Sequence, residues 1–151
     1  MITNAEYRSA AVWLPPVTLI VLLLVLGLGG DTVRVALRFD RAAIDAGEWW
    51  RLLSANFVHL GWWHLFLNQV GLLVLLLLCP ERLSPWVWVR RVVLIGLGMG
   101  AGLYWFVPGT LWYVGMSGVI HGLFLLGLGR QTVGSRDLIA AGCLAYLVGK
   151  I

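Results

Sequence analysis

Residues 59–79 read His59-Leu-Gly-Trp-Trp-His64-Leu-Phe-Leu-Asn68-Gln-Val-Gly-Leu-Leu-Val-Leu-Leu-Leu-Leu-Cys79, and Pro80 follows. From about Trp62 to Cys79 this stretch holds no Asp, Glu, Lys or Arg. It approaches the roughly 20 apolar residues that a helix needs to cross the hydrocarbon core of a bilayer. Backbone groups at that depth must satisfy one another, so a helix is the form expected. Four more apolar segments flank it. They run from about Trp13 to Gly29, from about Val92 to Val107 before Pro108, from about Leu111 to Gly129, and from about Leu138 to Gly149 near the end of the chain.

Composition agrees with lipid as the main solvent. The chain is 60% hydrophobic and 12% charged, whereas a soluble domain is nearer half apolar and a quarter charged. A fold of 151 residues has no interior large enough to hide that much apolar surface. Nine Trp suit interfacial anchoring, with Trp62, Trp63, Trp112 and Tyr113 as candidates. The net charge of +4 does not point to nucleic acid, because the basic residues lie in short gaps and form no stripe. Cys79 and Cys143 each lie in an apolar run and read as packing residues, with neither a disulfide framework nor metal spacing. The first segment opens on Pro15-Pro16 and lacks a small-x-small cleavage site, so it reads as a retained helix rather than a signal peptide. The expected architecture is all-α, a polytopic membrane helical bundle forming a single domain over residues 1–151.

Segment Asp31–Arg51 stands apart. It balances Arg34, Arg38, Arg41 and Arg51 against Asp31, Asp40, Asp45 and Glu48. With alternating helices, one side of the membrane holds Arg8, Arg82, Arg90, Arg91, Arg130 and Arg136 against Glu6, Glu81 and Asp137. The positive-inside rule therefore predicts a cytoplasmic N-terminus and an outer Asp31–Arg51 segment.

Polar side chains inside membrane spans are costly, and each raises a functional question. His64 and Asn68 are four apart and share a helix face. The fourth helix opens with Gly115-Met-Ser117-Gly118, and His121 follows Ser117 by four. His64, Asn68, Ser117 and His121 are thus expected in the outer half of the membrane, at similar depth. Taken singly, each has a plainer reading: Ser117 among Gly115, Gly118 and Gly122 as close helix packing, Asn68 or a lone His as an interhelical hydrogen bond. Taken together, they suit acyl transfer. A serine needs a base to become a nucleophile, and Asn or His donors can hold a developing oxyanion at roughly 3–4 kcal/mol each. No His or carboxylate cluster has metal-ligand spacing, so no metal or cofactor is implied. A transporter is disfavoured, since there are no paired inverted halves and no charged residue at mid-membrane.

The run Trp50-Arg51-Leu-Leu-Ser-Ala-Asn-Phe-Val-His59, followed by His64 and Asn68, resembles the signature of the rhomboid family. The spacings of eight, five and four from Arg51 through His59 and His64 to Asn68 match it. Gly115-Met-Ser117-Gly118 is similar to that family's Gly-x-Ser-Gly nucleophile motif. Tyr113-Val-Gly115-Met-Ser117-Gly118-Val-Ile-His121-Gly122 resembles the rhombosortase branch in particular. The resemblance, covering about Gly47 to Gly129, implies an intramembrane serine endopeptidase of a six-helix fold, of which about five helices are present here. It implies Ser117 as nucleophile, His64 and Asn68 with the Ser117 N–H at the oxyanion, and Trp50, Arg51, His59, Gly115 and Gly118 in structural roles. The implied partners are the lipid bilayer and a single-span membrane protein with a glycine-rich C-terminal sorting tail. The implied location is a bacterial inner membrane. Glu81 lies near, but out of register with, a structural Glu of the family.

The family takes its basic His from a sixth helix, whereas the histidines here are His59, His64 and His121. Three readings stay open: a C-terminally incomplete chain, His121 as the base, or a catalytically inactive protein that binds membrane clients.

Overall fold

The computed structural model describes residues 13–79 and 83–135. The fifth apolar segment, Cys143 and the charges at Glu6, Arg8, Glu81, Arg82, Arg136 and Asp137 lie outside the described residues.

Helix α1 (Leu14–Leu28) takes prolines in its first turn, where their missing N–H groups have no helical acceptor anyway. It ends at Gly29-Gly30. A Cβ on Gly29 would stand 2.2 Å from Val33 Cγ2, and Gly30 has φ +57, which lets the chain turn by 112° into α2 (Gly30–Leu37). Strand β1 (Phe39–Asp40) and helices α3 (Arg41–Asp45) and α4 (Arg51–Ser54) follow. A 3₁₀ turn (Ala55–Phe57) then leads to α5 (Trp62–Leu78), and the stretch Arg51–Phe57 meets α5 at 89°. Helix α6 (Pro85–Phe106) is capped by the Ser84 side chain, strand β2 is Trp112–Tyr113, and α7 is Ser117–Ser135.

The chain is thus a helical membrane bundle. Helix α5 is apolar on every side, and it buries Leu65, Asn68, Leu72 and Leu75 at alternating spacings of three and four. Those residues join Leu19 and Leu23 of α1, Trp88 and Val92 of α6, and Met116, Val119, Ile120, Leu123 and Leu128 at α7 in one core. Leu77 and Phe106 are 77% and 83% exposed, and with many similar residues they form the belt that faces hydrocarbon. Glycines set the closest helix approaches. A Cβ on Gly100 would lie 2.0 Å from Leu52 O, so α6 and α4 touch backbone to backbone. Gly118 and Gly122 of α7 meet Met99 and Ile95 of α6, while Gly127 meets Cys79 beyond α5.

The connection between α2 and α5 has a small core of its own, Phe39, Ile44, Leu52 and Ala55. It is stitched to the link between α6 and α7: β1 pairs antiparallel with β2 (Phe39 with Tyr113, Asp40 with Trp112), and Arg41 N–H donates to Leu111 O. Arg41 also covers the C-terminus of α6, donating to the carbonyls of Leu103, Tyr104, Val107 and Thr110 at 2.8–3.1 Å. Two carbonyls of the last helical turn, Leu103 and Tyr104, and two of the loop after it thereby share one cationic partner. Asp40 caps α3, and the Arg38 guanidinium beside it holds its carboxyl below the usual carboxylate range.

Three expected boundaries shift. The third helix begins at Pro85 rather than Val92, so Arg90 and Arg91 lie within its first two turns, where long cationic side chains reach back to the interface. The fourth begins at Ser117 rather than Leu111, because Leu111–Met116 is extended by pairing with β1 and turned by Gly115 at φ +117. It also continues past Gly129 to Ser135. As for span count, α6 with 22 residues is the single described helix long and apolar enough to cross a bilayer by itself. The first and second expected spans reach that length only as the bent pairs α1–α2 and Arg51–Phe57 with α5.

Candidate functional site

Residues 59–68 of the α5 entry and residues 113–121 of the α7 entry meet at one end of the bundle. The closest approach is between His64 and Gly115. A Cβ built on Gly115 would stand 2.7 Å from His64 Cε1 and 2.9 Å from Nε2, so the Cε1–Nε2 edge of the imidazole lies against the backbone two residues before Ser117. Only glycine tolerates both that proximity and φ +117. The segment is pinned further by Gly115 N–H donating to Ala55 O at 3.0 Å, and by Tyr113 O–H donating to Gly115 O at 3.0 Å.

His64 Nδ1 accepts from Leu60 N–H at 3.4 Å. That bond assigns the neutral ring's proton to Nε2, the nitrogen turned toward Gly115. His64 is therefore set up as a donor beside the start of α7. His59 packs edge-on against it, with ring centroids 5.1 Å apart and planes at 76°. His59 is buried, and both its ring nitrogens lack a hydrogen-bond partner. Its place is explained by that ring contact rather than by polar bonding.

Ser117 is the first residue of α7 and is exposed. The N–H groups of a helix's first turn have no intrahelical acceptor and sit at the positive end of the helix dipole. Negative charge that develops beside Ser117 thus meets unengaged donors from its own backbone. His121, also exposed, turns its Nδ1 onto the Ser117 main-chain carbonyl at 2.6 Å. The ring addresses the serine's backbone and not its hydroxyl. Among the described residues no side chain hydrogen-bonds the Ser117 hydroxyl.

Asn68 lies one turn below His64 on the same face and is buried. Its amide nitrogen donates to His64 O at 2.9 Å, and its oxygen has no partner. As placed, it bonds the α5 backbone, and its second N–H is unassigned. Gly118 lies against Met99, so it permits the α6–α7 contact that fixes the start of α7. Arg51 donates to Glu48 Oε2 at 2.6 Å and to the carbonyls of Val35 and Arg38 at 2.9 Å, clamping the segment between α2 and α4. Trp50 is 57% exposed. No described contact gives its ring a bracing part.

The sequence reading passed over three residues that position this site. Arg41 looks like any surface charge until the chain folds. Asn56 donates to the carbonyls of Leu53 and Gly96, fixing the 3₁₀ turn to α6. Gln69 donates to Ile20 O and ties α5 to α1. The run Gly96-Leu-Gly-Met-Gly100 did carry a legible signal for the crossing at which Asn56 sits, since small residues four apart mark a close approach. Among the described residues no group of three or more metal-ligating side chains is present.

Comparison with known proteins gives two matches of unequal reach. The sequence pattern of the Rhomboid domain matches residues 46–149. The Bacillus subtilis (strain 168) protein named "Putative rhomboid protease YdcA" is 35% identical over 82 residues, which are 52% of this chain and 39% of that protein. This chain therefore spans about two fifths of the curated relative it matches. No solved structure gives a significant match.

Proposed function

This chain belongs to the rhomboid family, and from that premise we propose that it is an intramembrane serine endopeptidase with Ser117 as nucleophile. The observation that carries the reading is the His64 ring held against Gly115, with its Nε2–H turned toward the segment that delivers Ser117 to the start of α7.

Ser117 Oγ attacks the scissile carbonyl carbon while its proton passes to a base, and the carbonyl oxygen takes the negative charge. The Ser117 N–H and the His64 Nε2–H are the donors for that oxygen, and Asn68 steadies His64 from the next turn. Collapse expels the amine with a proton from the same base. Water then hydrolyses the acyl-enzyme and restores the hydroxyl. The base is either His121 or a histidine outside these 151 residues. His121 qualifies by its place one turn after Ser117, since helical side chains lean toward the N-terminus.

The finer reading is rhombosortase-like. The substrate is a single-span membrane protein with a glycine-rich C-terminal sorting tail, cut near the outer face of a bacterial inner membrane, with the N-terminus of this chain cytoplasmic. The support is His121 in the Ser117–Gly122 run and the asymmetry of basic residues. A second reading, client binding without hydrolysis, is favoured by one observation: the His121 ring engages the Ser117 carbonyl instead of its hydroxyl.

Labelling by a fluorophosphonate, which reacts with activated serines, tests these readings in detergent-solubilised chain beside Ser117→Ala and His121→Ala. Loss in both variants assigns His121 as the base. Loss in Ser117→Ala alone places the base elsewhere. Equal labelling of Ser117→Ala and the parent overturns the nucleophile, and no labelling of folded parent rules out His121 as the base and leaves a base outside these 151 residues or the second reading.

A further inference from the structure

The outer ends of α1 and α5 enclose a crevice that the proposed chemistry does not use. Its upper part is a cavity of about 220 Å³ bordered by Gly30, Asp31, Arg34 and His59. Trp62 and Leu65 line this cavity and also an apolar groove of about 500 Å³ that continues down α5 past Phe66 to Leu73, against Ile20 and Leu24 of α1. From Trp62 to Leu73 the helix rises about 16 Å. That is close to half of the roughly 30 Å hydrocarbon thickness, or one leaflet. The crevice is therefore polar at the interface and apolar for the depth of one acyl layer.

Its polar end is charged in a specific way. Arg34 Nη2 and Asp31 Oδ1 are 3.0 Å apart, and Arg34 Nη1 donates to Leu60 O at 3.4 Å. The Arg34 side chain is three-quarters buried, at 25% exposed, while that of Asp31 is 87% exposed. A guanidinium carries five N–H donors, so most remain for a ligand. The outer oxygen of Asp31 stays open as an acceptor.

We infer that this crevice binds one phospholipid with a phosphoethanolamine head. The phosphate meets the remaining Arg34 donors, the primary ammonium meets Asp31, and an acyl chain lies in the groove below Trp62. The paired opposite charges match a zwitterion. An anionic glycerol head would meet Asp31 without a counter-charge, and a choline head has no N–H to donate. Trp62 stands at the junction of head and chain, the depth at which indole rings settle in bilayers.

Native mass spectrometry of the full chain, delipidated in detergent and offered equal amounts of phosphatidylethanolamine, phosphatidylcholine and phosphatidylglycerol, tests this. The expected result is a one-to-one phosphatidylethanolamine adduct in about tenfold excess over either other lipid, the ratio expected from one charge-assisted hydrogen bond. Asp31→Asn should bring the ethanolamine and choline lipids to parity. Arg34→Gln should remove the adduct, as should Leu24→Trp, which fills the apolar groove and leaves both charges in place. Equal adducts of all three lipids in the parent chain would mean ordinary annular lipid and overturn the assignment. So would an ethanolamine excess that persists in both charge variants.

Discussion

Replacing Gly115 by Ala tests the geometry on which the proposed chemistry stands. The new methyl would sit 2.7 Å from His64 Cε1 and 2.9 Å from Nε2, at a position whose φ is +117. The backbone conformation alone costs a non-glycine residue about 1–3 kcal/mol. Forcing the imidazole aside adds an overpacking cost of about 1–3 kcal/mol. The expected destabilisation is thus roughly 2–6 kcal/mol, read as a lower unfolding midpoint in detergent. The two parts separate in a double-mutant cycle with His64→Ala. With the ring gone the steric share vanishes and the conformational share persists, so the double variant should be more stable than additivity predicts by about 1–3 kcal/mol. A displacement near 1 Å at Ser117 should also slow fluorophosphonate labelling of Gly115→Ala on the order of 100-fold. Additivity within about 0.5 kcal/mol would refute the contact between His64 and Gly115, and the donor role of His64 with it.

Other outcomes follow from features away from that contact. Gly100→Ala would place a methyl 2.0 Å from Leu52 O; because the obstacle is backbone, α4 and α6 must separate, and a loss of about 3 kcal/mol in thermal unfolding is expected. Arg41→Ala strips the end of α6 of its cationic partner, and a cost of about 2–3 kcal/mol is expected, with faster amide exchange at residues 107–113 than in the α5 interior. Asn56→Ala leaves Gly96 O without its buried donor and should lower stability by about 1–3 kcal/mol, whereas a surface change such as Trp50→Phe should not. Asp40 contributes a pH dependence: the Arg38 guanidinium holds its carboxyl below the usual carboxylate range in the folded state, so its contribution is full above the unfolded value and fades as pH falls through the folded one. Asp40→Asn should therefore cost stability at pH 7 and cost progressively less below pH ~4, measured as the difference between paired unfolding curves.

The parts of this molecule that the sequence made legible are those set by local chemistry. The apolar run after Trp62 could be nothing but a helix in lipid, and the structure starts α5 at that residue. The apolar run up to Gly129 likewise read as a helix, and α7 occupies Ser117–Ser135, although its expected start at Leu111 moves to Ser117. The parts that stayed hidden depend on partners distant in sequence. Strands of two residues have no periodicity to read, so the β1–β2 pairing that pulls Leu111–Met116 out of the fourth helix left no trace. Arg41 acquires its role only when α6, more than 60 residues on, brings its last carbonyls to it. The direction of the His121 ring was likewise beyond reach, because a side chain one turn along a helix can address either the hydroxyl or the carbonyl of the serine, and only packing chooses. The early start of α6 did have a local signal in Ser84-Pro85, a helix cap followed by proline.

The stitching of the Phe39–Arg41 stretch to the C-terminal end of α6 also fixes an order of assembly. Phe39, Asp40 and Arg41 find their pairing, capping and ring partners among residues 103–113, so while the chain is being made they wait until α6 has emerged and crossed back. Until then the small core around Ile44 is open on one side, and the guanidinium of Arg41 has only water. The turn before Ser117 is thus among the last regions to take shape, and the proposed nucleophile waits for its neighbouring helices before it is set in place.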